Sequence, residues 1–363
     1  MLNFQMDEEQ RMLAEAVERY ARERVRKLFR DAEEERELPE DVLASGWELG
    51  LLPTAIPESF GGFGEHSSLT GAIALESFAW GDLATTLAIM TPNLVAVPLM
   101  LAGTDAQKEA HLPAFAGDKA PRVTAALTEP LIQFDPRDLK TTATQTEDGY
   151  RLQGTKVMVP LADEAELFLV YANEAGQTQA FLVPAGTPGL TVAAADKWMG
   201  IHALPTFRLT LDGVTVPAEA RLGGEAGCDF DLILNHSRIA LAAAAVGIAR
   251  AGFEYARDYA KQRIQFGEPI AQRQSIAFML AEMAMDVDSA RLLVWEAAWK
   301  LDQGDDVTRE VTVMKQFVDE MVLRVADQAL QTLGGYGYIR EYPVELWLRN
   351  ARGFATFDGL CIY

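Results

Sequence analysis

The sequence predicts a mainly α protein with an inserted β domain. The expected parts are an N-terminal helical domain at 1–124, an antiparallel β barrel or sandwich at 125–227 and a C-terminal bundle of the four-helix type at 228–363. Three observations predict this. Apolar residues recur at helical spacing up to about residue 120 and again after 229. Between those regions helical spacing gives way to short β-prone runs divided by turn dipeptides. Hydrophobic residues make up 49% of the 363, enough for two or three cores side by side.

Asp7 can cap a helix running through Met12, Ala16 and Tyr20 to about residue 35, because its carboxylate can accept from first-turn N–H groups. A second helix is expected at 40–49, after Pro39. Residues 51–64 carry Pro53, Pro57, Gly61, Gly62 and Gly64 and are expected to be non-helical. Helices are expected near 67–80, 84–102 and 105–116, with Thr104 and Gln107 at the cap and third positions of the last.

Strand-like runs lie at 150–152, 167–171, 180–183 and 207–211. Asp148-Gly149, Pro188-Gly189 and Asp212-Gly213 separate them, as turns separate strands of an antiparallel sheet. Beyond Asp229, one apolar stripe runs through Ile276, Met279, Leu280, Met283 and Val287. Another runs through Val311, Met314, Val318, Met321 and Val325. Each stripe needs a second helix against it. The Ala-rich run 238–262 is expected to be the most buried, with Asn235-His236-Ser237 as its cap. Gly267 and Gly304 mark the joints of the bundle.

Asp and Glu number 53 against 32 Lys and Arg, a net charge of −21. Such a field opposes nucleic acid and anionic membranes as partners. An anionic cofactor is still compatible with it, given a few local Arg residues and helix ends. Cys228 and Cys361 cannot form a disulfide framework. His66, His111, His202 and His236 stand in no ligand spacing, so no metal site is expected. Ser, His and Asp show no nucleophilic arrangement. No run of about 18 uncharged apolar residues suggests a membrane span. The acidic N-terminal stretch lacks an export-leader pattern, and a cytoplasmic address is the expectation.

Taken on their own chemistry, a few residues stand out. Gly334-Gly335-Tyr336-Gly337-Tyr338 is either a helix stop or a backbone surface for a cofactor. Arg238, Arg263 and Arg349 lie in apolar surroundings near expected helix ends. Each is a helix cap, a salt-bridge partner or a phosphate ligand. Trp198 and Trp295 are core residues or stacking platforms. Asp358, in Phe357-Asp358-Gly359-Leu360, is a turn former or a base whose pKa is raised by desolvation.

The order of segments and a series of strings resemble the acyl-CoA dehydrogenase family along almost the whole chain. Ile56-Pro57-Glu58-Ser59-Phe60-Gly61-Gly62 looks like its first helix-to-loop segment. Gly103-Thr104-Asp105-Ala106-Gln107-Lys108 with Leu112-Pro113 and Leu127-Thr128-Glu129-Pro130 look like its next two elements. Trp198-Met199-Gly200-Ile201 and Val216-Pro217 are similar to its later strands. The most specific string is Lys261-Gln262-Arg263-Ile264-Gln265-Phe266-Gly267 with Pro269-Ile270 and Gln274. Gln331-Thr332-Leu333-Gly334-Gly335 and Glu341-Tyr342-Pro343 complete the set.

The resemblance implies FAD and a tetramer, either of identical chains or with a related subunit. Thr128 would reach the flavin ring. Arg263 would meet the FAD pyrophosphate across a subunit boundary, with Phe266 and Gln274 near the adenosine half. Gln331, Gly334 and Gly335 would receive part of the same cofactor. Arg238 would lie beside the acyl-CoA thioester. The implied reaction is α,β-dehydrogenation. Asp358 would remove the α-proton, the β-hydride would pass to flavin N5, and electrons would leave through an electron-transferring flavoprotein. The α-proton of a thioester is a weak acid, so the site must polarise the carbonyl and keep the base dry.

Several positions depart from the family pattern. Asp358-Gly359-Leu360 replaces E-G-T, which shortens the base by a methylene. Val157-Met158-Val159 replaces W-I-T beside the flavin. Leu131-Ile132-Gln133-Phe134-Asp135 replaces G-x-G-S-D, and Asn235 stands where an Asp often touches the CoA adenine. The departures gather around flavin and thioester. Four functional readings follow: a working dehydrogenase, a subunit of low activity paired with a complete partner, a related flavoenzyme acting on a more acidic carbon, such as a nitroalkane oxidase, or a flavin-free scaffold or binding module.

Overall fold

Helix α1 (Glu8–Tyr20) opens on a capping box in which Asp7 accepts from the Gln10 N–H and the Gln10 side chain accepts from the Asp7 N–H. The computed structural model describes residues 5–64, 66–194 and 197–363. The first four residues of the acidic N-terminal stretch lie outside them. A wide π-turn at Ala21–Val25 joins α1 to α2 (Arg26–Glu35), so the single helix expected there has a break in its pitch. α3 (Glu40–Trp47) follows as expected. Residues 51–64 correct the expectation: α4 (Leu51–Ala55) and a 3-10 turn at Glu58–Phe60 are helical. Pro53 is tolerated because it sits in the first turn, where its missing N–H breaks no helical bond.

α5 (Ser68–Gly81) is almost wholly buried, as is α6 (Leu83–Ile89). The helix expected at 84–102 is in fact two, since the chain turns by 49° before α7 (Asn93–Ala102). α8 (Asp105–His111) begins with the expected Thr104–Gln107 capping box.

The middle region holds β1 (Val123–Ala126), β2 (Thr142–Thr146), β3 (Gly149–Pro160), β4 (Leu167–Glu174), β5 (Gln177–Pro184), β6 (Leu190–Ala194) and β7 (Thr206–Val216). They form a curled sheet in the order β1-β4-β2-β3-β7-β6, with β5 also on β4. The sheet is mixed, not purely antiparallel: β1 runs parallel to β4, as β2 does at Thr142–Asn173. β3 carries an irregularity between Lys156 and Val159. It leaves Lys156, Val157, Met158 and Val159 all buried, where regular alternation would expose every second side chain.

α9 (Phe230–Gln262) is capped by Asp229. The expected cap, Asn235-His236-Ser237, lies inside the helix and is buried. The helix therefore starts about two turns earlier than its Ala-rich texture suggests. α9 has the length and hydropathy of a membrane-crossing helix, yet 89% of its apolar window is buried within the protein. It packs on α5 so closely that a Cβ added to Gly247 would meet the Glu76 carbonyl oxygen at 2.3 Å. A two-residue hairpin of β8 (Ile264–Gln265) and β9 (Glu268–Pro269) turns at Phe266-Gly267, both at positive φ. α10 (Gln274–Asp302), α11 (Thr308–Leu333) and α12 (Val344–Ala351) complete the bundle. Its core runs continuously into the N-terminal helices.

Candidate active site

Asp358 follows a 3-10 turn at Phe354–Thr356 and points at α9. There the Arg238 guanidinium grips both carboxylate oxygens, Nε to Oδ1 at 3.2 Å and Nη2 to Oδ2 at 2.9 Å. The two side chains are 13–14% exposed. The carboxylate expected at Asp358 as a turn former or a dry base is therefore mostly buried and ion-paired. Lys315 on α11 stands 3.9 Å from Asp358 Oδ1 and 2.8 Å from Asp319, one turn along its own helix. Burial holds the Asp319 carboxyl above its usual range, with the Lys315 charge opposing and the Asp358 charge adding to the effect.

Thr128 lies against this centre, its hydroxyl donating to the Asp358 backbone carbonyl at 3.1 Å. The Asp358 N–H finds no acceptor among the described residues. The Thr128 loop is fixed from beneath. Lys156 Nζ, with no exposure, donates to the Leu127 carbonyl at 3.0 Å and to Glu129 at 2.9 Å. The Glu129 carboxylate also accepts from the Lys140 and Thr141 N–H groups, and the Val157 N–H donates to the Thr128 carbonyl. Burial brings the Lys156 ammonium down to about 8 against the opposing pull of Glu129. These charges stay in a dry place because each is both paired and hydrogen-bonded.

A second centre lies at the other end of α9. A cleft of about 500 Å³ is lined by Tyr259, Arg263, Gln331, Gly334, Gly335 and Tyr336, among others. The Arg263 guanidinium sits 5.1 Å from the Tyr336 ring centre. It has no hydrogen bond or ion pair among the described residues. α11 stops at Gly334 with φ 57° and ψ −130°, a backbone state essentially limited to glycine. A Cβ added to Gly334 or Gly335 would meet nothing. Phe266 and Gln274 are exposed nearby in sequence, at the hairpin tip and the start of α10.

The comparisons with known proteins match this architecture from end to end. The N-terminal, middle and C-terminal domain families of acyl-CoA dehydrogenase match residues 7–119, 124–214 and 231–360. The chain belongs to the acyl-CoA dehydrogenase family. The short-chain specific acyl-CoA dehydrogenase of Megasphaera elsdenii is 36% identical over 90% of this chain and 86% of its own. The CarC subunit of the caffeyl-CoA reductase–Etf complex of Acetobacterium woodii is 34% identical, over 97% and 95%. The solved structure of M. elsdenii butyryl-CoA dehydrogenase superposes with a TM-score of 0.90 at 31% identity, covering 98% of this chain and 96% of that one.

Acyl-CoA dehydrogenases carry FAD, and the Arg263 cleft fits its phosphate-bearing half. A guanidinium with no ion pair among the described residues, beside two glycines that leave room for close approach, forms a cationic recess in a chain of net charge −21. The other candidates fall into place differently. Asn235 donates to Thr308 at 3.3 Å, and its Oδ1 is buried without a partner. Arg349 belongs to the fold, paired with Glu33 and Glu345. Trp295 is in the core, and the Trp198 N–H donates to Thr206. Sequence reasoning missed Lys315, Asp319 and the Lys156–Glu129 pair. Charged residues one turn apart on an apolar helix stripe, and a lysine inside a strand-like run, were the signals available.

Proposed function

We propose that this chain catalyses FAD-dependent α,β-dehydrogenation of an acyl-CoA thioester, with Asp358 removing the α-proton. The carrying observation is Asp358 itself, held by Arg238 and Thr128 between the bundle and the β domain. FAD, when bound, supplies the electron acceptor. The residues do the rest. The unused Asp358 N–H is a donor available to polarise the thioester carbonyl and stabilise charge that develops on it. Arg238 orients the carboxylate through one hydrogen bond to each oxygen, which leaves each a second lone pair able to accept a proton. Thr128 ties the base loop to the Lys156–Glu129 foundation and so limits its drift.

Arg238 and Arg263 are separated by 25 residues of α9, roughly 37 Å at the helical rise. That is farther than one extended dinucleotide reaches from its ring to its phosphates. The Arg263 cleft therefore serves the cofactor of a second subunit, and the working unit is at least a dimer. Electrons leave to an electron-transferring flavoprotein, as the Etf complex of the A. woodii relative supports. Anaerobic titration of the purified holoenzyme with acyl-CoA tests the reading. Bleaching of the oxidised-flavin absorbance supports it, and a flavin that no acyl-CoA bleaches refutes it.

The ion pair also favours a second reading, a subunit of low activity working beside a complete partner, because Arg238 and Lys315 both face the carboxylate that would have to act as base. That reading requires a second, Glu-bearing chain to copurify. A homo-oligomer that turns over acyl-CoA excludes it.

A further inference from the structure

Little open space lies beside Gly359, the residue after Asp358. A cavity of only about 20 Å³ lies there, bounded by Leu94, Leu127, Phe230, Ile233, Gly359 and Ile362, among others. It has room for about one water molecule. Gly359 follows Asp358 in the chain, and Ser237, which also lines the cavity, precedes Arg238. The cavity therefore adjoins the segment that carries Asp358, and a thioester whose α-carbon meets that carboxylate would direct its outer acyl carbons towards it.

Ile362 is 2% exposed and cannot easily leave, because the segment around it is fastened on both sides. The Ser237 hydroxyl donates to the Cys361 carbonyl at 2.7 Å, and His236 Nδ1 lies 3.1 Å from the Tyr363 carbonyl. The Tyr363 hydroxyl donates to the Leu51 carbonyl at 3.1 Å, and its ring stacks on His66 at 5.4 Å. α5 leaves Tyr363 its place only because residue 71 is glycine: a Cβ there would come within 1.7 Å of the ring.

We infer that Ile362 is the floor of the acyl pocket and sets substrate length, confining the site to acyl chains of about four carbons or fewer. The inference rests on the acyl-CoA reading above and adds the residue that limits it. Removing three side-chain carbons from Ile362 opens space for two to three carbons of substrate. Each buried methylene is worth about 0.8 kcal/mol, roughly a fourfold change in affinity.

The test uses S-alkyl-CoA thioethers from ethyl to octyl, bound to the holoenzyme and followed by calorimetry. Thioethers have no acidic α-carbon, so their binding needs no proton transfer. The native protein should gain roughly fourfold per carbon up to butyl and then lose at least tenfold by octyl. In Ile362→Ala the break should move two or three carbons longer, and in Ile362→Val by about one, which covers the case of an unstable alanine variant. Native affinity climbing unbroken to octyl, a break that stays in both variants, or no thioether binding at all would each overturn the inference. A break that moves while butyryl-CoA goes unoxidised would leave it standing and refute Asp358 as a working base.

Discussion

Arg238 and Asp358, 120 residues apart in sequence, meet side by side: the guanidinium fork spans both carboxylate oxygens at 3.2 and 2.9 Å. Such a fork fixes the plane of a carboxylate as well as its charge. The carboxylate is thus aimed, with one lone pair on each oxygen still open.

Asp358→Asn keeps the shape of the side chain and the Thr128 contact to its backbone but abolishes its basicity. The variant should hold flavin as the native protein does, while flavin reduction by acyl-CoA slows about 10²–10⁴-fold. Anaerobic stopped-flow absorbance measures both, and equal reduction rates would rule out Asp358.

Arg238→Met leaves a mostly buried carboxylate with Lys315 as its remaining cation, 3.9 Å away. Unfolding stability should fall by about 1–3 kcal/mol. Arg238→Lys should fall less but still lose activity, because a single ammonium cannot span both oxygens. Denaturant titration alongside initial rates separates the two effects.

Lys156→Met should cost about 3–5 kcal/mol by stranding the Glu129 carboxylate in the sheet. The double variant Lys156→Met/Glu129→Gln should recover part of that loss. No recovery in chemical denaturation would mean that the two groups are not coupled through their charges.

Acid should loosen the base segment. Burial, with the neighbouring His66 adding to it, takes the His236 imidazole down to about 3 from its ordinary 6.5. The unfolded chain therefore binds this proton more readily than the folded one. Stability from this group is complete above about pH 6.5 and is lost as pH falls towards 3, at about 1.4 kcal/mol per unit. His236→Asn should flatten the fall in melting temperature across that range.

Arg263→Ala removes a cation that has no ion-pair partner among the described residues. Apoprotein stability should change by less than about 0.5 kcal/mol, while flavin affinity drops roughly 10–100-fold, as for loss of a charge-assisted contact. The flavin-to-protein ratio after gel filtration shows the second effect.

The fold was legible where periodicity speaks for itself. The stripes through Met283 and Val287, or Met314 and Val318, could only be bundle helices, and the Thr104–Gln107 cap was visible as a pattern. The parallel β1–β4 pairing was not, because local alternation carries no information about which neighbour a strand takes. The start of α9 was hidden because Phe230 to Leu234 lack the Ala-rich texture that follows. At the site, the strings around Arg263 and Gly334 pointed to residues that the structure gathers in one cleft. The Arg238–Asp358 clamp could not be read, since it depends on where the turn after α12 lands on α9.

The 33-residue length of α9 means that, in the assembly proposed above, each protomer would lend its Arg263 end to a neighbour's flavin. Diluting the protein should therefore bleed off cofactor, and with it colour and turnover, in step with dissociation of the assembly. On that reading, lone chains would hold flavin weakly and turn over little.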